Sequence, residues 1–201
     1  MSRTMILGEC MLELSSDTEG NFAKAFAGDT FNTAVYLKRC APHLQVDYLT
    51  AIGADFLSEE LLQQMQSDGV GIEYVCRSVD KNLGLYFIKT DGQGERSFVY
   101  WRSDSAARQT LNLLKKDLPE LSTFYFSGIS LAILDVKQRE SLLNLVTRLR
   151  MKGTQIVFDP NYRPQLWGSV SDARHWIDKG YLVANLAFPG GDDHRTLFGH
   201  S

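Results

Sequence analysis

The sequence predicts an α/β fold: a mainly parallel sheet with helices on both faces, plus a small β flap outside it. Three observations predict it. Strand-like and helix-like apolar segments alternate along the chain, and the strand-like ones are apolar runs. Two β-rich runs at 83–89 and 96–101 break that rhythm, joined by the turn-forming Thr90-Asp91-Gly92-Gln93-Gly94. Strands covered by helices on both faces read as near-continuous apolar runs, and strand–helix–strand order favours parallel pairing. The paired runs with their Gly-rich turn read as a hairpin.

In chain order, residues 4–8 are a short apolar strand. Residues 30–40 have helical spacing, with Phe31, Ala34, Val35 and Leu37 apolar, and 46–52 is a strand ending at Gly53. Residues 56–67 are helical, with Leu57, Leu61, Leu62 and Met65 on one side. After the hairpin come a buried-type strand at 123–127, a long amphipathic helix at 136–151, and strands at 155–158 and 181–185. Gly190-Gly191-Asp192-Asp193 reads as a loop entering a capped helix from Asp192. There is no internal repeat or low-complexity tract, so the flap is an appendage on one core.

Composition narrows the function classes. Of 201 residues, 44% are hydrophobic and 22% charged, with a net charge of −3 and no basic block. That argues against nucleic-acid and anionic-membrane partners. No stretch approaches the roughly 18 apolar residues of a membrane span. Cys10, Cys40 and Cys76 are odd in number and widely spaced, which predicts reduced, buried or half-buried thiols in a cytoplasmic protein. Four His residues without ligand spacing predict no metal site.

Ligands of open α/β sheets sit beyond the carboxyl ends of the strands. Glu9, Gly53-Ala54-Asp55, Ser127-Gly128-Ile129 and Asp159-Pro160-Asn161-Tyr162-Arg163 all fall at such ends. Gly28-Asp29-Thr30-Phe31-Asn32 combines a glycine with residues favoured at helix starts; it fits a ligand-facing turn or a plain capped helix. Side chains alternate along a strand, so Tyr86, Tyr100 and Arg102 can share one face of the hairpin. Two hydroxyls and a guanidinium there suit a hydroxylated carboxylate; an exposed flap carrying an aromatic cross-strand pair is the alternative. Arg163, between two prolines, is placed for a phosphate or carboxylate, or simply for solvent. No G-x-x-x-x-G-K-[ST] or G-x-G-x-x-G phosphate loop occurs.

Ala27-Gly28-Asp29-Thr30-Phe31-Asn32-Thr33-Ala34, Gly53-Ala54-Asp55, Ser127-Gly128-Ile129, Asp159 to Arg163, and Gly94-Glu95-Arg96-Ser97-Phe98-Val99-Tyr100-Trp101-Arg102 together resemble the ribokinase/PfkB carbohydrate kinases. The last run is most similar to the branch acting on 2-keto-3-deoxygluconate. The resemblance spans essentially the whole chain and implies a ribokinase-like domain, with residues 1–201 its N-terminal part and a β lid formed by about 10–27 and 83–102. It implies ATP with Mg²⁺ as phosphoryl donor and a small sugar acid as acceptor, phosphorylated to its 6-phosphate, and pairing of two copies through their lids. Gly28, Asp29, Asn32, Tyr86, Tyr100, Arg102, Ile129 and Arg163 would hold the sugar acid, Arg102 on its carboxylate. Asn161 and Arg163 would lie near the transferred phosphate.

Two departures stand out. The family's first turn glycine is Ala27 here, a mild change where φ is negative. The family's Gly-Ala-Gly-Asp motif, with its Asp base and helix-end anion hole, is not found in these residues and is expected beyond Ser201, with the adenine site. The 201-residue chain is therefore expected to lack a catalytic residue and to be inactive alone. A non-catalytic sugar-acid-binding fragment and another kinase of the family, such as a fructokinase, are the other readings.

Overall fold

A computed structural model describes residues 2–16 and 19–199. The strands are β1 (Arg3–Leu7), β2 (Met11–Ser16), β3 (Phe22–Ala27), β4 (Gln45–Ile52), β5 (Val75–Arg77), β6 (Leu85–Thr90), β7 (Arg96–Trp101), β8 (Thr123–Ser127), β9 (Gln155–Asp159) and β10 (Leu186–Ala187). The helices are α1 (Asp29–Cys40), α2 (Phe56–Ser67), α3 (Thr110–Leu113), α4 (Gly128–Ile133), α5 (Val136–Met151), α6 (Val170–Val183) and α7 (Gly191–Phe198).

Six strands form a parallel sheet in the order β10-β9-β8-β1-β4-β5. Strand alternation sends Met5 and Leu7 of β1 into one core and Ile6 into the other. The first core collects Phe124, Phe126 and Phe158 with Leu142, Val146 and Ile177 of α5 and α6. The second collects Tyr48 and Ile52 with Phe31, Ala34, Leu61 and Met65 of α1 and α2. Both faces are therefore covered, which is why these strands read as unbroken apolar runs.

The second sheet has four strands, β3-β2-β6-β7, with β2 and β6 parallel and the outer pairs antiparallel. The β6–β7 turn forms as its residues require. Asp91 Oδ1 accepts from the Gln93 and Glu95 amides at 2.8 and 2.9 Å, and Gly94 takes φ +86°. Asp17 and Thr18, within the expected 10–27 segment, lie outside the described residues.

Three expectations need correction. Residues 181–185 are not a strand: Tyr181 to Val183 close α6, and the strand is the two-residue β10, paired with Val157 and Phe158. A five-residue apolar run cannot be told from a helix turn by periodicity. Tyr181 instead packs edge-on against Phe158 at 5.6 Å. Cys40, at the end of α1, is exposed, whereas Cys10 is buried and Cys76 half-buried. The last helix begins at Gly191 behind Gly190 and has no side-chain cap; Asp193 instead accepts the Tyr162 amide at 3.0 Å, which fastens the 159–163 loop.

Candidate active site

The segments that follow β8 and β9 and the β7 end of the second sheet converge on a cavity of about 320 Å³. Tyr100, Arg102, Ile129 and Arg163 line it, with Ser103 and Arg108 beside them. Four of the expected site residues thus meet in one place, from three separate stretches of chain.

The hairpin register sets the upper wall. Tyr86 is paired with Tyr100 across β6 and β7, and their rings stack at 5.6 Å. Tyr86 itself is buried and does not line the cavity. Its hydroxyl donates to Glu13 of β2, and burial together with that carboxylate pushes the phenol well above its ordinary range. Tyr86 therefore supports Tyr100 instead of offering a free hydroxyl.

Arg102 carries the largest difference from expectation. Its guanidinium is ion-paired to Glu9, whose side chain is 1% exposed, and Ser105 Oγ donates to the other Glu9 oxygen. Arg102 Nε is buried without an acceptor. The residue that sequence reasoning passed over is Glu9, visible as a lone acid at a strand end but not assigned a partner. The pair ties the end of the second sheet to the end of β1.

The lower wall rests on two close backbone approaches. A Cβ on Gly128 would lie 1.9 Å from the Pro160 carbonyl oxygen, so only glycine lets the start of α4 meet the 159–163 loop. A Cβ on Gly28 would lie 2.2 Å from the Glu9 carbonyl oxygen. Gly28 thus makes room for the β1–β2 connection. Ser127 caps α4 through a reciprocal arrangement with Ser130. Asn161 is the one non-glycine residue with positive φ among the described residues, at 33°. Asparagine tolerates this region better than most side chains. Its side-chain amide donates to Asp29 at 3.2 Å, joining the loop to the start of α1. Ala27 accordingly has no left-handed backbone, and the missing turn glycine costs no strain there.

Asn32 lies elsewhere, on a larger groove of about 650 Å³ between β3, α1 and α2. Gly53-Ala54-Asp55 serves the entry to α2: Asp55 Oδ1 accepts the Leu57 and Ser58 amides at 3.0 and 3.1 Å. Neither reaches the cavity lined by Arg102 and Arg163.

Asp159 sits just behind the loop. Burial pushes its carboxyl pKa up, and the charges of Asp29 and Asp193 add to that, against hydrogen bonds from Tyr125 and the Asn161 amide. The folded state thus binds the Asp159 proton more readily than the unfolded chain does. Between the ordinary carboxylate pKa and the raised one, its contribution to stability falls as pH rises. Asp159→Asn is expected to remove this slope, so stability relative to the parent should improve as pH rises through that window. Urea midpoints measured from pH 4 to 7 check this; parallel curves would refute it.

The carboxylates here do not fit a Mg²⁺ site. Among the described residues no group of three or more His, Cys, Asp or Glu side chains is placed to hold a metal ion. Asp29 and Asp193 are committed to Asn161 and the Tyr162 amide. The cavity does fit an anion, because three arginines and no acid line it.

A parallel strand–helix core carrying a small mixed sheet is an arrangement shared with solved carbohydrate-kinase structures, and residues 1–201 match the family described as pfkB family carbohydrate kinase. The chain belongs to that family. It is 38% identical to the 2-dehydro-3-deoxygluconokinase of Haemophilus influenzae, over 98% of this chain and 65% of that protein. It is 41% identical to the 2-dehydro-3-deoxygluconokinase of Dickeya dadantii, over 96% of this chain and 64% of that one. The chain thus spans less than two thirds of the length of these relatives. In fold it is similar to the crystal structure of 2-dehydro-3-deoxygluconokinase from Thermotoga maritima, with a TM-score of 0.85 at 21% identity, covering 100% of this chain and 62% of that chain. A PfkB protein from Polaromonas superposes equally well, with a TM-score of 0.85 at 25% identity.

Proposed function

We propose that this chain forms the sugar-acid-binding part of an ATP-dependent kinase that phosphorylates 2-keto-3-deoxygluconate to its 6-phosphate. The observation that carries this reading is the cavity joining Tyr100, Arg102, Ile129 and Arg163 without any acidic side chain. Guanidinium forks match a carboxylate or phosphate in geometry and charge. Three of them suit a sugar acid better than a neutral ketose, which favours this reading over a fructokinase. The names of the relatives at 38% and 41% identity support the same substrate.

In this reading the β3-β2-β6-β7 sheet acts as a lid, with Tyr100 and Arg102 over the substrate and Ile129 beneath it. Gly28, Asp29 and Asn161 shape the floor, and Arg163 faces the phosphate being transferred. ATP supplies the phosphoryl group, and Arg163 would hold its negative charge. Pairing of two lids is part of the proposal, supported by an exposed apolar face on which Phe22 and Trp101 both pack on Phe87. Three unpaired thiols suit a reducing, cytoplasmic setting.

No residue of this chain is assigned the role of general base, since the family's glycine-rich Asp motif does not occur among its residues. The 201-residue chain alone is therefore expected to bind the sugar acid yet show no ATP-dependent phosphorylation. Calorimetric titration with 2-keto-3-deoxygluconate and a coupled assay with millimolar ATP and Mg²⁺ test the two halves. No binding would sink the sugar-acid reading. Turnover within a hundredfold of the roughly 1–100 s⁻¹ of a kinase would show that the chain carries its own base.

A further inference from the structure

Arg102 follows β7 and lines the cavity, and its Nη2 is ion-paired to Glu9, which follows β1. Both oxygens of Glu9 are taken, one by Arg102 and the other by Ser105 Oγ. Ser105 is itself buried, and its amide donates back to the Arg102 carbonyl at 3.3 Å. Residues 102–105 thus form a turn whose two ends close on one carboxylate. The neighbouring backbone is shaped around that carboxylate. A Cβ on Gly84 would lie 2.7 Å from Glu9 Oε1 and 3.3 Å from Arg102 Cβ. At their side chains Glu9 and Arg102 are 1% and 10% exposed. The pair is therefore set, and largely shielded from water, before any ligand arrives.

Orientation alone does not require a charge at this position. A carboxamide could accept from Arg102 and donate to Ser105 Oγ, with no second ion to desolvate. What a carboxylate adds is a negative charge across the guanidinium from any acid that Arg102 meets. At roughly 6 Å, two carboxylates repel by about threefold in affinity in bulk water, and by roughly a hundredfold at the effective dielectric constant of about 20 that suits protein sites. Releasing one held side chain costs only about two- to tenfold, and a carboxamide would forfeit part of that. The charge therefore outweighs the orientation. We propose that Glu9 is a positioning residue acting through Arg102: it aims the guanidinium at the substrate carboxylate and, by its own charge, lowers the affinity for that carboxylate. The carboxylate at carbon 1 is unchanged by phosphorylation at carbon 6. A tighter grip on it would hold product as firmly as substrate and would not speed the chemical step. The inference rests on the sugar-acid reading above and keeps the carboxylate contact at Arg102.

Glu9→Gln separates the two effects, because it keeps the size and an acceptor but not the charge. Two ligands that differ only at carbon 1 are titrated calorimetrically: 2-keto-3-deoxygluconate, and 3-deoxyfructose, which has a hydroxymethyl group in place of the carboxylate. The proteins are the parent chain, Glu9→Gln, Glu9→Asp and Arg102→Gln. Glu9→Gln should have a lower urea midpoint and yet bind the acid about threefold or more tightly, with 3-deoxyfructose within about twofold of the parent. Glu9→Asp keeps the charge and should show no tightening. Arg102→Gln should weaken the acid by about tenfold or more, the loss of one charged hydrogen bond. Should Glu9→Gln be too unstable to titrate, melting with each ligand in excess gives the same comparison: at one concentration the acid should raise its Tm more than it raises the parent's. Acid binding unchanged or weakened in Glu9→Gln would overturn the proposal and leave the sugar-acid reading intact. So would acid binding tightened in Glu9→Asp or unchanged in Arg102→Gln. A parent chain that binds no sugar acid would overturn both.

Discussion

Replacing Glu9 by leucine is expected to lower folding stability by about 3–5 kcal/mol, the usual cost of removing one partner from a buried ion pair. Glu9 and Arg102 are only 1% and 10% exposed at their side chains. Leucine fills a similar volume but accepts nothing. Arg102 would keep its desolvation cost without its anion, and its Nε already has no acceptor. Ser105 Oγ would lose its acceptor as well. The loss should appear as a lower urea midpoint with an unchanged slope. The double variant Glu9→Leu/Arg102→Met should regain most of it, because well-packed apolar replacements of a buried pair are often neutral or better. A single variant as stable as the parent would mean that the pair contributes nothing to holding the second sheet.

Gly128→Ala is expected to cost about 3 kcal/mol, toward the upper end of the range for forcing extra volume into a packed site. The added carbon would meet the Pro160 carbonyl oxygen at 1.9 Å and its carbon at 3.0 Å. Neither is the free end of a side chain, so the start of α4 and the 159–163 loop must move apart. Ile129 follows Gly128 directly, and Arg163 lies on the displaced loop, so the cavity would widen at its lower wall. Urea denaturation should show the loss of stability, and titration with 2-keto-3-deoxygluconate should show weaker binding. Unchanged stability would mean that the two segments are not in close contact.

Much of the core was legible because local and global requirements agree there. The runs at 4–8, 46–52, 123–127 and 155–158 are apolar since helices cover both faces of the sheet, and each lies in it within a residue or so of its expected bounds. The hairpin was legible because Asp91 and Gly94 carry its turn chemistry and period-two alternation fixes which residues share a face. The pairing of Tyr86 with Tyr100 followed from that register. The run at 181–185 was not legible, since an apolar pentapeptide fits the last turn of a helix as well as a strand.

The site divides in the same way. The sequence by itself determined the family, through motifs at strand ends, and it named four of the residues that line the cavity: Tyr100, Arg102, Ile129 and Arg163. Tertiary structure alone decided what each of them is free to do. Arg102 and Glu9 are 93 residues apart in sequence, and Tyr86 and Glu13 are 73 apart. Pairings over such separations leave no local periodicity to read. Asn32 shares the signature of Gly28 and Asp29, yet it points to the groove beside α2 because the helical turn carries it round. Whether a charge is compensated depends on neighbours that the order of residues does not reveal.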